Sequence, residues 1–283
     1  MSNAILLISA PDKKGITAAV TNFIFENNGN IEHADQHIDF DSNTFFMRIE
    51  WSLKEFSIPK ENLKETFTPL AKKFSMDWSL NFNDQSENLA IFVSQKTHCL
   101  YDLLQKYQQG YLRCEIPLII SNHKKAEPIA KYFKIPFQYM PKNDHQKKEI
   151  EKKEIALLKE KKIDLVILAR YMQVFSEKFV SVFKNRAINI HHSFLPAFAG
   201  KNPYQQAHRH GVKIIGATSH YITKKLDRGP IIEQDTVRVS HRDSVTDLRR
   251  EGQDLERIVL SRAVRLHLDK KILVYGNKTV VFD

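Results

Sequence analysis

Beyond about residue 85, short aliphatic runs alternate with predicted helices, and this alternation limits the possible folds more than any other feature. The runs include Leu89–Val93, Ile116–Ser121 and Leu165–Leu168. The predicted helices are Cys99–Gln108, Ala126–Phe133, Asp144–Glu160 and Val245–Leu268, and a hairpin with a Gly276-Asn277 turn is expected after the last of them. Strands that are apolar along their whole length are typical of parallel sheets covered by helices on both faces. The pattern therefore predicts an α/β domain with a Rossmann-like, mostly parallel sheet.

The residues before this domain follow a different order, which predicts a small α+β domain. At 283 residues the chain exceeds the usual single-domain size, so two domains are expected. The polar stretch Asn83–Asn88 is the predicted linker, dividing the chain into domains 1–84 and 85–283. The first domain has the ferredoxin-like order βαββαβ, with these predicted elements: Ile5–Ile8, Ile16–Asn27, Ile31–Asp39, Thr44–Trp51, Pro59–Phe74 and Asp77–Phe82.

Composition excludes several classes of function. The net charge of +10 arises from 43 Lys and Arg against 33 Asp and Glu, but the positive residues are interspersed with Glu and form no nucleic-acid motif. No apolar run reaches the roughly 18–20 residues that span a bilayer. The two cysteines, Cys99 and Cys114, suit a reducing compartment. We therefore expect a cytoplasmic protein that binds neither nucleic acid nor membranes.

Polar side chains with catalytic potential follow the later strands. Asn189 and His191 are two residues apart at the end of a predicted strand, so their side chains project to the same side. An amide can donate a hydrogen bond to a developing oxyanion, and an imidazole can move a proton near neutral pH. Asp227 lies on a predicted turn between two strands, where a carboxylate could orient an imidazole or a water molecule. Ligands of such sheets bind beyond the carboxyl ends of the strands.

Residue types alone leave other interpretations open. Asn and His also act as caps and as satisfied polar groups, and Asp227-Arg228-Gly229 is compatible with simple turn chemistry. Ser193 lacks the Gly-x-Ser-x-Gly context of a serine nucleophile. Five histidines invite a metal hypothesis, but no His-Glu-x-x-His motif and no cysteine ligand accompany them, so no metal site is predicted; they are His191, His192, His208, His210 and His220.

The ordered set of motifs resembles the signature of the folate-dependent formyltransferases. It runs Asn189-Ile190-His191, Ser193, Leu195-Pro196, Gly200, Gly216-Ala217-Thr218, His220, then Asp227-x-Gly229-x-Ile231-Ile232. The resemblance implies that Asn189 holds the formyl oxygen, that His191 supports the tetrahedral intermediate and proton transfer to N10, and that Asp227 organises water and shuttles protons. It also implies that the loop Leu168–Val174 lines a pterin pocket. The implied substrate-binding residues are Leu168, Tyr171, Met172, Gln173, Val174, His192 and His220.

The first domain resembles an ACT domain, on the basis of its layout and of Asp12-Lys13-Lys14-Gly15-Ile16 leading into the first helix. The resemblance implies a homo-oligomer, a tetramer or hexamer, with a site for an amino-acid effector such as glycine or methionine. The implied effector-binding residues are Asp12, Gly15, Gly29, Asn30 and Ile31. The alternative is that Gly15 and Gly29 serve only the backbone geometry.

Three features together resemble the formyltetrahydrofolate deformylase family. An ACT-like domain precedes the formyltransferase-like domain, the motif carries His192 and Phe194, and no glycine occurs between Gly29 and Gly110 to build a backbone cradle for an acceptor phosphate. The resemblance implies hydrolysis of 10-formyltetrahydrofolate to formate and tetrahydrofolate, with folate as substrate and no further cofactor, and a role in one-carbon pools for purine synthesis. The alternatives are a glycinamide ribonucleotide formyltransferase and a non-catalytic, amino-acid-sensing regulator.

Overall fold

The computed structural model describes residues 2–141, 146–196 and 203–282 and contains two compact units. Unit 1 comprises Met1–Ser86, Asp269–Tyr275 and Thr279–Asp283, and unit 2 comprises Glu87–Leu268 and Gly276–Lys278. The sequence suggested one boundary, between residues 84 and 85. The units divide two residues later, and the C-terminal segment contributes to unit 1 instead of remaining with the second domain.

Unit 1 has the ferredoxin-like architecture that the sequence predicts. Its four strands form an antiparallel sheet in the order β2-β3-β1-β4. The elements are β1 (Asn3–Pro11), α1 (Ile16–Glu26), β2 (Asn30–Asp39), β3 (Thr44–Ser52), α2 (Leu63–Lys73) and β4 (Asp77–Phe82).

Both faces of the unit 1 sheet are covered, which explains why the run Ala4–Ile8 of β1 is apolar without interruption. Leu6 and Ile8 point to the face where α1 and α2 pack, since successive strand residues alternate. On the opposite face, Leu7 and Phe46 form a cluster with Phe282, next to a C-terminal hairpin. The hairpin consists of β12 (Ile272–Tyr275) and β13 (Lys278–Val281), and its turn falls at the predicted Gly276-Asn277 position.

Unit 2 is an α/β domain with a seven-stranded sheet in the order β11-β10-β9-β8-β5-β6-β7. Strand pairs from β9 to β7 are parallel, and only β9-β10 and β10-β11 are antiparallel. This confirms the mostly parallel sheet. The elements are β5 (Glu87–Val93), α3 (His98–Gln108), β6 (Cys114–Ser121), α4 (Glu127–Tyr132), β7 (Phe137–Tyr139), α5 (Lys147–Glu160), β8 (Leu165–Ala169), α6 (Glu177–Val182), β9 (Ala187–His191), α7 (Pro203–His210), β10 (Ile214–Tyr221), β11 (Ile231–Arg238) and α8 (Val245–Leu268).

Two helices of unit 2 have no counterpart in the sequence prediction. Helices α6 and α7 have 6 and 8 residues, too few for an apolar periodicity to be distinctive. Helix α5 begins at Lys147, and the predicted start at Asp144 lies outside the described residues. Among the helices of the described ranges, none combines the length and the apolar character needed to cross a bilayer.

Candidate active site

A cavity of about 380 Å³ opens at the carboxyl ends of β8 and β9, where the sequence places the unusual residues. Both strands run in parallel, so the side chains at their ends meet at one edge of the sheet. Every predicted catalytic and substrate-binding residue lines this cavity. They are Leu168, Tyr171, Met172, Gln173, Val174, Asn189, His191, His192, His220 and Asp227.

The three predicted catalytic residues converge at this cavity. Asn189 and His191 lie on β9, and Asp227 lies in the connection between β10 and β11 with a left-handed φ of 52°. Aspartate tolerates that conformation better than most residues. Nδ1 of His191 is 3.3 Å from the Asp227 carboxylate, and Nε2 of His220 is 3.8 Å from its other oxygen. Two imidazoles thus flank one carboxylate.

The contacts of His220 define its proton positions. Its Nδ1 lies 2.9 Å from the carbonyl oxygen of Tyr221, which can only accept, so Nδ1 carries a proton. In the neutral ring, Nε2 is then an acceptor, and it lies 3.3 Å from the side-chain nitrogen of Asn189. This contact turns the amino group of Asn189 toward His220. One N–H of that group remains for a ligand in the cavity.

The Asp227 carboxylate is held in its ionised form. Burial by itself would raise the pKa of this carboxyl group, but the contacts with His191 and His220 outweigh burial and lower the pKa well below its ordinary value. A carboxylate that accepts the Nδ1 proton of His191 fixes the tautomer of that ring. The proton-accepting position of His191 is therefore Nε2.

Nε2 of His191 is buried and has no hydrogen-bond partner among the described residues. Buried polar atoms are almost always paired, so an unpaired one at a cavity wall indicates a ligand position. His192 lies beside it, with ring centroids 5.0 Å apart. Burial, followed by the positive charge of Arg170, lowers the pKa of His192 to about 4, so this imidazole is neutral near pH 7.

The loop that the resemblance assigned to the pterin is anchored at three points. The Tyr171 hydroxyl donates to Glu154 at 3.2 Å, and the backbone N–H of Met172 donates to Oγ of Ser94 at 3.1 Å. At the loop's end, the backbone N–H of Ser176 donates to Glu151 at 2.8 Å. The side chains of Met172 and Val174 stay exposed. The loop is thus held at Tyr171, Met172 and Ser176, and it presents these two side chains to the cavity.

Other cavity residues were missing from the prediction. Arg170, Phe175 and Lys224 line the cavity, as do three aliphatic residues, Val180, Ile222 and Leu226. Arg170 and Lys224 lie within the motifs that the sequence singled out, and their charge was the available signal. The aliphatic residues carry no such signal, because a strand or loop residue of that type is ordinarily core.

Several motif residues shape the site without entering it. A Cβ on Gly229 would lie 1.6 Å from the carbonyl oxygen of Tyr221 and 3.2 Å from Nδ1 of His220, so only glycine fits there. Oγ1 of Thr218 donates to the carbonyl oxygen of Ser193 at 2.9 Å and accepts from the N–H of Leu195 at 3.1 Å. These contacts hold the loop that follows His191. Gly200 lies outside the described residues.

The structure does not bring the predicted effector residues together within one chain. Asp12 and Gly15 precede α1, whereas Gly29, Asn30 and Ile31 follow it, and a helix of 11 residues separates the groups by about 16 Å. The left-handed residue after α1 is Asn28, and neither Gly29 nor Asn30 has a positive φ. The backbone at Gly29 passes close to the side chain of Ile24, and a Cβ at this position would lie 2.5 Å from it. The two groups can form one site only if two chains pair.

One group of potential metal ligands occurs among the described residues, away from the predicted histidines. It comprises His98, Cys99 and Glu256, whose ligand atoms lie within 4.8 Å of one another. Burial raises the pKa of the Cys99 thiol well above its ordinary value, with the charge of Glu256 adding to the effect. Glu256 is already paired with His98 and with the Arg170 cation. The carboxylate of Glu256 is therefore already engaged by neighbouring side chains.

Comparison with known proteins agrees with this geometry. The formyl transferase family model matches residues 87–264, and the ACT domain model matches residues 4–65. A protein from Synechocystis sp. named formyltetrahydrofolate deformylase is 55% identical over 99% of this chain and 98% of its own. The crystal structure of a formyltetrahydrofolate deformylase from Pseudomonas syringae pv. tomato has a TM-score of 0.98 at 43% identity, covering 100% of this chain and 95% of that one.

A more distant solved structure covers less of the chain. The glycinamide ribonucleotide transformylase 1 from Symbiobacterium toebii has a TM-score of 0.67 at 28% identity, covering 72% of this chain and 98% of its own. The resemblances seen in the sequence, for both domains and for their order, are confirmed.

Proposed function

This chain belongs to the formyltetrahydrofolate deformylase family, and from that premise we propose that it hydrolyses 10-formyltetrahydrofolate at the site formed by Asn189, His191 and Asp227. The products are formate and tetrahydrofolate. The convergence of an amide, an imidazole and an ionised carboxylate on one cavity carries the proposal.

Asn189 supplies the electrophilic assistance. Its amino group is oriented by His220, which leaves an N–H to bond to the formyl oxygen. As water adds to the formyl carbon, that oxygen gains negative charge and the hydrogen bond strengthens. A donor oriented before the reaction stabilises the transition state without reorganisation.

His191 moves the proton. With Nδ1 bonded to Asp227, Nε2 takes a proton from the attacking water as the new C–O bond forms. The same nitrogen then donates this proton to N10 as the C–N bond breaks. The intermediate collapses to formic acid, which loses its remaining proton to solvent and leaves as formate, while the Asp227 carboxylate remains ionised throughout and stabilises the imidazolium.

The anchored loop Leu168–Val174 forms the wall on which the pterin ring binds. Its exposed middle and the aliphatic cavity residues offer an apolar surface, with backbone groups available for hydrogen bonds. The reaction as proposed needs no cofactor besides the substrate.

The assay that tests this function separates the enzyme alternatives. Purified protein is incubated with 10-formyltetrahydrofolate, and formate and tetrahydrofolate are quantified with and without glycinamide ribonucleotide. We expect one formate per tetrahydrofolate and no dependence on the ribonucleotide. Strict dependence on the ribonucleotide would support the transformylase alternative instead. No release of formate under either condition would leave the regulator as the better interpretation.

The ACT domain of unit 1 extends the proposal to regulation. An amino-acid effector such as glycine or methionine would bind where Asp12 and Gly15 of one chain approach Gly29–Ile31 of another. This arrangement requires a homo-oligomer, such as a tetramer or hexamer. A cytoplasmic enzyme of this kind would balance one-carbon pools for purine synthesis.

A further inference from the structure

Unit 2 contains a chain of buried polar side chains that the proposed reaction does not use. Glu256 of α8 is 1% exposed and is the centre of this chain. Its Oε2 is 2.7 Å from Nε2 of His98 and 3.3 Å from Nε of Arg170, and its Oε1 accepts from the Tyr204 hydroxyl at 2.7 Å. We call these four residues the Glu256 network.

The Glu256 network lies between two cavities of unit 2. Arg170 lines the catalytic cavity, whereas His98 lines a second cavity of about 590 Å³ beyond the end of β5. The side chains of His98 and Arg170 are 13% and 12% exposed, so each reaches its cavity with a small part of its surface. Glu256 contacts both residues and so connects the walls of the two cavities.

The second cavity is polar and rich in positive charge. Lys96, Lys125 and Arg257 line it, together with Asp102, which is paired with Lys106 at 2.8 Å. Such a cavity would concentrate small polar molecules, and anionic ones in particular. Without a barrier, a molecule held there would lie next to the cavity where the formyl group reacts.

A formyl group can pass to water or to an amine, and the two outcomes differ in a single step. With an amine, the N10–C bond breaks, a new N–C bond forms, and one amine proton moves to N10. Nothing in Asn189, His191 or Asp227 discriminates between these acceptors, because each group acts on the formyl oxygen or on a proton. The discrimination must come from access to the formyl carbon.

This inference rests on the proposed function. We propose that the Glu256 network determines which acceptor receives the formyl group. It closes the catalytic cavity toward the second cavity, so that only water reaches the formyl carbon. Glu256 holds Arg170 in the wall, and His98 and Tyr204 fix Glu256.

The test measures how the formyl group divides between water and an amine. The full-length protein is incubated with 10-formyltetrahydrofolate and glycinamide, and formate and N-formylglycinamide are quantified by mass spectrometry. The double substitution Arg170→Ala/Glu256→Ala removes both charges together, so neither remains buried without its partner. We expect the ratio of N-formylglycinamide to formate to rise at least about tenfold over the wild type.

A second variant and a matched control complete the experiment. His98→Ala removes the residue of the network that lines the second cavity and keeps the ion pair between Arg170 and Glu256. We expect this substitution also to raise the ratio of N-formylglycinamide to formate. Arg249→Ala/Glu251→Ala removes the same two residue types from exposed positions of α8, and its ratio of N-formylglycinamide to formate should equal that of the wild type.

The outcomes separate this inference from the proposed function. An unchanged ratio in folded Arg170→Ala/Glu256→Ala, or in His98→Ala if the double variant does not fold, would overturn it. So would a wild type that formylates glycinamide as readily as the variants do. A wild type that releases no formate and forms no N-formylglycinamide would instead refute the proposed function.

Discussion

At the scale of single residues, His191 and Asp227 act as one unit. The carboxylate bonded to Nδ1 decides which nitrogen of the ring faces the substrate, and its lowered pKa keeps it ionised at neutral pH. The stabilising effect of such a carboxylate is present above its unfolded-state pKa and is lost only as the pH falls through the lower folded-state value. Asp227 therefore does not titrate within the range where enzymes are usually assayed.

Replacing Asp227 with Asn keeps the shape of the side chain and removes its charge. We expect kcat for formate release to fall by about 100- to 10,000-fold. The imidazole of His191 is then no longer held with its proton on Nδ1, and the imidazolium has no negative charge beside it. Folate binding, followed by fluorescence titration, should change much less. Asp235→Asn, which alters a carboxylate on β11 paired with Arg262, is the control and should retain turnover. Near-normal turnover by Asp227→Asn would contradict the role assigned here.

At the scale of elements, the connection between β10 and β11 positions two of the polar groups. His220 is the residue before the last one of β10 and pairs with Asn189, and Asp227 follows in the connection, which returns past the backbone of Tyr221. That return is possible because Gly229 has no Cβ to collide with the Tyr221 carbonyl. The glycine therefore controls the distance between the carboxylate and both imidazoles.

Gly229→Ala should displace this connection. We expect a loss of about 1–3 kcal/mol in the free energy of unfolding, together with loss of most formate release, since Asp227 and His220 both shift. Gly211→Ala is the matched control. Gly211 has a φ of 61° with no atom near the position of a Cβ, so alanine there strains the backbone without any collision. The control should lose some stability and keep its activity. A Gly229→Ala protein with normal activity would show that the close approach of Gly229 to the Tyr221 carbonyl is unimportant.

At the scale of the whole molecule, unit 1 is assembled from both ends of the chain. The C-terminal hairpin contributes Leu273, Tyr275 and Val280 to the cluster around Leu7, Phe46 and Phe282. Arg48, buried in the same face, donates to the backbone oxygen of Lys270 at 3.0 Å. The outer face of the sheet therefore depends on residues more than two hundred positions away.

Phe282→Ala tests this assembly. Phe282 is almost fully buried, and we expect its removal to cost unit 1 about 3–5 kcal/mol. Both tryptophans of the chain, Trp51 and Trp78, lie in unit 1, so their fluorescence during urea unfolding reports on this unit. Phe40→Ala is the matched control, because Phe40 is 86% exposed and its loss should change stability by less than about 0.5 kcal/mol. Equal unfolding midpoints for the two variants would contradict the packing role.

Much of the fold was accessible from sequence because the signals are local. Hydrophobic periodicity located the strands and the long helices, including α8 at Val245–Leu268, and the spacing of Asn189 and His191 on one strand placed both on the same side. Motif order predicted the carboxylate partner, Asp227. Short helices such as α6 were missed, since six residues carry too little periodicity.

The sequence by itself determined the kinds of domain, their order and the identity of the catalytic candidates, because each depends on neighbouring residues or on motifs. Only the tertiary structure decided that His220 orients Asn189, that Glu256 joins Arg170 to His98, and that the final hairpin covers the unit 1 sheet. These contacts join residues that are distant in the chain. A buried side chain contacts whichever residues the fold places next to it, and no local sequence pattern indicates which residues those are.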